Sequence, residues 1–353
     1  MNPQAVPIPV LLRDLLVAAG PSGHEEPAAR VWREAASAFA EVGGDTLGTS
    51  YARVGSSGRF TLAVIGHIDQ VGIAITHIRA DGLLDYSTLG GFSAEILAGQ
   101  RVVIAGREGP VEGVVAGRQR SGRDRDRTAV SHGDLHIDVG AANADEAFAL
   151  VSIGSPGVWQ GAPIELPNAR IVSRALDDRL GAYTALEAAR RIAGQGGARV
   201  DVVAVASVQE ETGHDGARAA AFALEPDVAL VVDVTYTSDV PGGDPRKLGK
   251  VDLGSGAVVL RGPVANRRVT ELLVEVAESE GIAYQIEVWS GHTHSDADDV
   301  HAARGGIPTG IVSIPVRYMH SPSELASLDD LEATVRLVTA FALRLTPESD
   351  FLR

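Results

Sequence analysis

Residues 171–181 read I-V-S-R-A-L-D-D-R-L-G. The stretch opens as an apolar, strand-like run and passes into a helical spacing carried by Leu180, Tyr183, Leu186 and Ala189. Two adjacent carboxylates, Asp177 and Asp178, stand at the change. A strand handing over to a helix is the repeating unit of a parallel α/β sheet, whose ligands bind beyond the carboxyl ends of the strands. A carboxylate placed there can be shared between two metal ions. It can also simply start the helix, as an N-cap favoured by the helix dipole.

The same handover recurs along the chain. F-T-L-A-V-I-G-H-I-D from Phe60 delivers His67 and Asp69, V-D-V-V-A-V-A-S-V from Val200 runs into Gln209, Glu210 and Glu211, and V-A-L-V-V-D from Val228 ends on Asp233. Unbroken apolar runs mark strands buried on both faces. Helices are expected around Leu11–Leu16, over 27–42, from Asp178 to near Gly194, after Gly216, over 270–279, and along the stripe Leu331, Val335, Val338, Ala342 and Leu345. The fold expected is α/β: a doubly wound, mainly parallel sheet with helices on both faces.

Between Val71 and Pro163 the texture changes. Short β-type runs at 72–78, 101–105, 111–115 and 135–139 are separated by turn signals such as Asp81-Gly82 and Glu108-Gly109. A small β-rich, barrel-like domain (71–163) is therefore expected as an insertion into a catalytic α/β domain built from 1–70 and 164–353. Within it, R-Q-R-S-G-R-D-R-D-R at 118–127 has no apolar anchor and is expected to be a mobile, solvated loop.

Composition narrows the chemistry. The 353 residues carry 31 basic and 46 acidic side chains, a net charge of −15, which repels phosphate backbones and anionic lipid and excludes nucleic acid and membrane surfaces as partners. No cysteine occurs, so disulfides, thiolate nucleophiles and Cys-type zinc sites are ruled out, leaving His, Asp and Glu for any metal. The N-terminal apolar run is broken by Arg13 and Asp14, which fits neither a signal peptide nor a membrane span, and a cytoplasmic location is expected.

Each candidate residue has a bland reading. His67 and Asp69 could be a surface pair, Glu210 and Glu211 a solvated turn, and His320, in R-Y-M-H-S-P, a structural histidine. Their conjunction decides. Adjacent carboxylates at the end of an apolar run repel each other unless a cation compensates, and a lone carboxylate ending V-A-L-V-V-D is costly unless paired or coordinated. His67, Asp177, Glu211, Asp233 and His320 together form a plausible two-metal ligand set, with Glu210 free to act as general base and Asp69 to hold the His67 tautomer. The His-rich stretch G-H-T-H-S-D-A-D-D-V-H at 291–301 is not assigned a further metal, because Asp296, Asp298 and Asp299 could instead cap a short helix. His214 lies near enough to Glu211 to line the pocket.

The motifs together resemble the tetrahedral (TET) aminopeptidases, dinuclear metallopeptidases similar to glutamyl aminopeptidase, some of which have been labelled endoglucanases. The likeness runs through P-S-G-H-E at Pro21, G-H-I-D-Q-V-G at Gly66, I-D-V-G-A at Ile137, the L-D-D-R-L-G core, V-Q-E-E-T-G, the Asp233 strand and I-P-V-R-Y-M-H-S-P at Ile314. It implies a peptidase that removes N-terminal residues from short peptides, with water activated between two divalent ions. His67 and Asp233 would hold one ion, Glu211 and His320 the other, and Asp177 both, with Glu210 as general base and Asp69 orienting His67. Zinc is the metal expected, and cobalt or manganese suit the same ligand types. The resemblance also implies a cis peptide after Asp177 and a β-rich insertion used for self-association, commonly into a dodecamer. Two departures bear on substrate preference: Gln70 where the family often has Glu, and H-S-D-A at 294–297 where it has G-T-D-A.

Rival readings are a related dinuclear deacylase or carboxypeptidase, whose extra domain falls after the later ligands, and an inactive scaffold subunit that keeps only the assembly surfaces. A glycosidase fits poorly, since its two carboxylates must flank a sugar bond roughly 5 Å or more apart.

Overall fold

The structure, a computed structural model, describes residues 6–55, 58, 60–117 and 130–352. The expected loop at 118–127 lies outside the described residues. Four strands, Asp201–Ser207, Thr61–His67, Val228–Tyr236 and Thr309–Arg317, run parallel at the centre of an 11-stranded sheet. Their unbroken apolar character has a direct cause. Leu62 and Val64 enter one core layer while Ala63 and Ile65 enter the other, so neither face of the strand meets water.

Helices cover both faces, as the doubly wound reading requires. Val10–Val17, Glu26–Ala36, Leu176–Gly194, Arg267–Ser279 and Leu328–Arg344 share one core layer with the sheet; Asp215–Leu224 and the short Ala297–Val300 share the other. The margins are antiparallel: Ser50–Val54 and Glu41–Gly44 on one side, Glu324–Ser327, Arg170–Ser173 and Ile164–Leu166 on the other. A side branch, Ala257–Arg261 with Tyr284–Val288, joins at Thr309–Arg317.

The second helix is shorter than the spacing predicted. It ends at Ala36, and residues 41–44 form a strand in register with Ser50–Val54, Val42 facing Ala52. Phe39, Ala40 and Val42 keep a helix-like apolar spacing because they pack on the same core layer from non-helical backbone.

Six antiparallel strands close into a barrel in the order Gly72–Ile78, Leu84–Leu89, Leu135–Asp138, Pro110–Gly117, Arg101–Ala105 and Pro156–Trp159. It has its own core, including Ile73, Ile75, Leu84, Val102, Ile104, Ile137 and Trp159. Leu84–Leu89 and Pro156–Trp159 escaped the sequence reading: L-D-Y-S-T-L is mostly half-exposed, and P-G-V-W is brief and opens on a proline.

Two glycines let the long helix reach the sheet. A Cβ on Gly66 would overlap the backbone of Gly181 and Ala182, and one on Gly181 would overlap the Asp178 carboxylate and the Val232 carbonyl. This approach sets Asp177 and Asp178 against the end of the His67 strand. Among the described residues no helix is long and apolar enough to cross a membrane.

Candidate active site

Asp177 and Asp178 divide the two roles that the sequence allowed them. Both have non-helical backbone angles at the start of Leu176–Gly194, and the peptide bond between them is cis. Asp178 does the capping: its Oδ1 accepts from the Gly181 amide at 2.8 Å and its Oδ2 from the His67 amide at 3.1 Å. Asp177 instead turns into the cleft, Oδ1 3.1 Å from His67 Nε2 and Oδ2 3.1 Å from His320 Nε2. Burial alone would raise its carboxyl, but the two imidazoles hold it well below the usual carboxylate range.

His67 is the last residue of its strand, and Asp69 follows fully buried beneath it. Asp69 Oδ1 lies 3.3 Å from His67 Nδ1, and the carboxylate also accepts from Ser22 Oγ at 2.6 Å and from the amides of Glu210 and Glu211 at 3.1 and 3.2 Å. It thereby ties one strand end to the next. Burial opposes its charge, yet His67, Ser22 and the Glu210 amide keep it below its ordinary value.

Gln209, at φ 59, turns the chain out of Asp201–Ser207 into the single-turn helix Glu210–Gly213. Glu211 Oε2 is thereby set 3.4 Å from His320 Nε2 and Glu210 Oε2 3.8 Å from His67 Nε2, while Asp233 Oδ1 approaches His67 Nε2 to 3.9 Å from the neighbouring strand. Two overlapping groups of ligand-type atoms result: His67, Asp177 and Asp233; and Asp177, Glu211 and His320. The atoms of each lie within 4.8 Å of one another, and Asp177 belongs to both. Glu210 belongs to neither.

Among the described residues, no Lys or Arg lines the cavity of about 430 Å³ in front of these residues. Burial pushes Glu211 up to about 8, helped by Asp177, and Asp233 up to about 7; Glu210 is also driven well above its usual range, chiefly by burial. The carboxylates act back on the histidines: they outweigh burial and raise His67 well above its ordinary value and His320 to about 10.

Of two supporting carboxylates, Glu324 was missed from sequence and Asp296 was read only as a helix cap. Glu324, 1% exposed, accepts from the amides of Asp177 at 3.1 Å and His320 at 2.8 Å, fixing both backbones. The available signal was its place four residues after His320. Asp296 stands at the N-cap position of Ala297–Val300 but does not cap with its side chain; it accepts from Ser207 Oγ at 2.5 Å, beneath the strand that leads to Glu210. Asp298 orders the preceding loop by accepting from the Thr293 and His294 amides. Neither group of ligand-type atoms includes a residue from 291–301, although His294 lines the cavity edge-on to Trp289. Gln70 is not in the lining: it faces the buried Arg174, which donates to its Oε1 at 2.6 Å. Of the two departures, the one at 294–297 is thus the one that reaches the pocket.

The family model described as M42 glutamyl aminopeptidase matches residues 48–337. The lysyl aminopeptidase of Pyrococcus furiosus is 33% identical over 349 residues, covering 96% of this chain and 97% of its own. A TET aminopeptidase from a marine sediment archaeon of the Thaumarchaeota has a solved structure that superposes with a TM-score of 0.91 at 34% identity, over 95% of this chain and 96% of its own. A TET1 peptidase of Pyrococcus horikoshii, described as able to assemble into a tetrahedron or a large octahedral shell, gives a TM-score of 0.84 at 28% identity, over 95% and 99%. Matched along nearly its whole length in sequence and in fold, the chain belongs to the M42 glutamyl aminopeptidase family and is a hydrolase of peptide bonds.

Proposed function

We propose that the chain is a dinuclear metal-dependent aminopeptidase that removes N-terminal residues from short peptides. The observation that carries this reading is the pair of ligand groups joined at Asp177, with Glu210 beside them but in neither. His67 and Asp233 would hold one divalent ion, Glu211 and His320 the other, and Asp177 both. The donor set fits such ions: imidazole and carboxylate suit zinc, cobalt and manganese, and Glu211 Oε1 is buried with no hydrogen-bond partner among the described residues. Bound divalent ions supply Lewis acidity, which makes water a nucleophile near neutral pH and polarises a scissile carbonyl. Glu210 takes the proton of the attacking water and passes it to the departing amine. Asp69 fixes the His67 ring from behind.

The barrel is proposed to be the self-association module, residues 71–163, with 1–70 and 164–353 forming the catalytic part. The named assemblies of the Pyrococcus horikoshii relative support this, as does the exposure of Phe148 and Ile153 beside the barrel. A dodecamer in the cytoplasm, without nucleic acid or membrane partners, is the state proposed.

The test is a panel of free and N-acetylated short peptides, given to protein whose metal content has been measured and restored. Release of single residues from the free-amine peptides only is expected. Loss of acetyl groups or of C-terminal residues would instead establish a deacylase or carboxypeptidase, and no turnover at full occupancy a scaffold.

A second prediction comes from linkage. Glu211 and Asp233 have raised carboxyls in the metal-free fold, so the folded state binds more protons than the unfolded state, and stability is lost as pH rises from about 4 through about 8. Divalent ions require the ionised forms. The Tm of metal-free protein is therefore expected to fall between pH 5 and pH 8, and the rise in Tm on adding metal to be larger at pH 8. A metal-induced rise that is the same at both pH values would contradict the ligand assignment.

A further inference from the structure

His214 has no part in the ligand groups, yet its contacts are specific. It closes the single-turn helix Glu210–Gly213 with a left-handed backbone, φ 58, a region that non-glycine side chains enter infrequently. Its amide donates to the Glu210 carbonyl at 3.3 Å, so the imidazole folds back toward the residue that begins the turn. There Nε2 lies 3.5 Å from Glu210 Oε1, while Nδ1 lies 2.9 Å from Asp299 Oδ2. Asp299 is carried by Ala297–Val300, which packs through Ala297 and Val300 into the same core layer as Ala217, Ala220 and Ala221 of the helix after His214. Both ends of the contact are thus attached to packed structure.

The two oxygens of Glu210 face different ways: Oε2 looks toward His67 and the shared ligand cluster at 3.8 Å, and Oε1 looks away from it, toward His214. A glutamate has three side-chain torsions, and a base serves only when one oxygen stays aimed at the proton it removes. We propose that His214 is a positioning residue for Glu210: held at Nδ1 by Asp299, it fixes Oε1 with Nε2 and so presents Oε2 to the reacting water. The arrangement needs the proton of this contact on Nε2, because Glu210 protonated at Oε1 would no longer be a base. It rests on the reading of Glu210 as general base given above.

The test uses the metal-loaded protein and a free-amine dipeptide cleaved by the wild type, with kcat, KM, metal content and Tm measured for His214→Ala, His214→Gln, Asp299→Ala and the double alanine variant. His214→Ala is expected to lose about 10- to 100-fold in kcat, the usual cost of removing a partner that orients a working group, with KM and metal content unchanged. His214→Gln, whose amide can still reach Glu210, should recover much of that loss. Asp299→Ala should lose several-fold, and the double variant should be no slower than His214→Ala alone, because both act through one contact. Should the alanine variant fold poorly, Asp299→Ala and His214→Gln carry the same comparison.

The inference is overturned if His214→Ala keeps wild-type kcat, if its defect lies in KM, if its lost activity follows lost metal, if glutamine restores nothing, or if the two alanine losses multiply. Wild-type protein that is fully loaded yet turns over no peptide would sink the aminopeptidase reading and this inference with it. An active wild type with an unimpaired His214→Ala variant sinks this inference alone.

Discussion

Glu210→Gln is expected to lower kcat by roughly 10²- to 10⁴-fold, the range supplied by a positioned proton acceptor, while metal content stays that of the wild type. The substitution keeps the shape of the side chain and the backbone amide that Asp69 accepts at 3.1 Å. What it removes is the ability to take a proton. Glu210 lies outside both ligand groups, so its loss should leave metal affinity intact. Stability should hold or rise: burial disfavours the charged carboxylate, aided by Asp233, Asp296 and Glu211, although His67 opposes them. Steady-state kinetics beside metal analysis reads both halves of the prediction. Near-normal peptidase activity at full metal content would remove Glu210 from the mechanism, and loss of metal would make it a ligand instead.

Asp177→Asn is expected to lose both ions and all measurable turnover. Each oxygen of Asp177 faces a different imidazole at 3.1 Å, and an amide offers one acceptor where the carboxylate offers two. In the metal-free fold the same change breaks a buried charged contact between Asp177 and the two histidines, a class of substitution that costs roughly 3–5 kcal/mol. The backbone should persist, because Glu324 still accepts the residue 177 amide and Asp178 still caps the helix. A folded but metal-poor variant, seen by calorimetry and metal analysis together, is the expected outcome. Retention of even one tightly bound ion would show that Asp177 is not shared.

Both predictions concern residues that could be found without a structure. The five ligand candidates and Glu210 stand at or just past the ends of apolar runs, where a strand buried on both faces must either finish in water or bring its polar residues into a site. The parallel core strands follow from the same runs. The barrel was legible at four of its strands, and illegible at Leu84–Leu89, whose side chains are mostly half-exposed, and at Pro156–Trp159, which is brief and opens on a proline.

Hydrophobic periodicity belongs to neighbouring residues, so it was enough to identify which segments are buried strands, which carboxylates and imidazoles lie at their ends, and, through the resemblance, the family. It misjudged the end of the second helix because Phe39, Ala40 and Val42 reach the core without helical backbone. Which partner each polar group has depends on how the packed chain brings distant residues together. Glu324 meets the Asp177 amide across 147 positions, Asp296 meets Ser207 across 89, and Asp299 meets His214 across 85. Nothing local in the chain encodes those meetings. They arise because burial leaves each such group to be satisfied by whatever the packed layers bring within hydrogen-bond reach, and that is set by how the helices dock on the sheet.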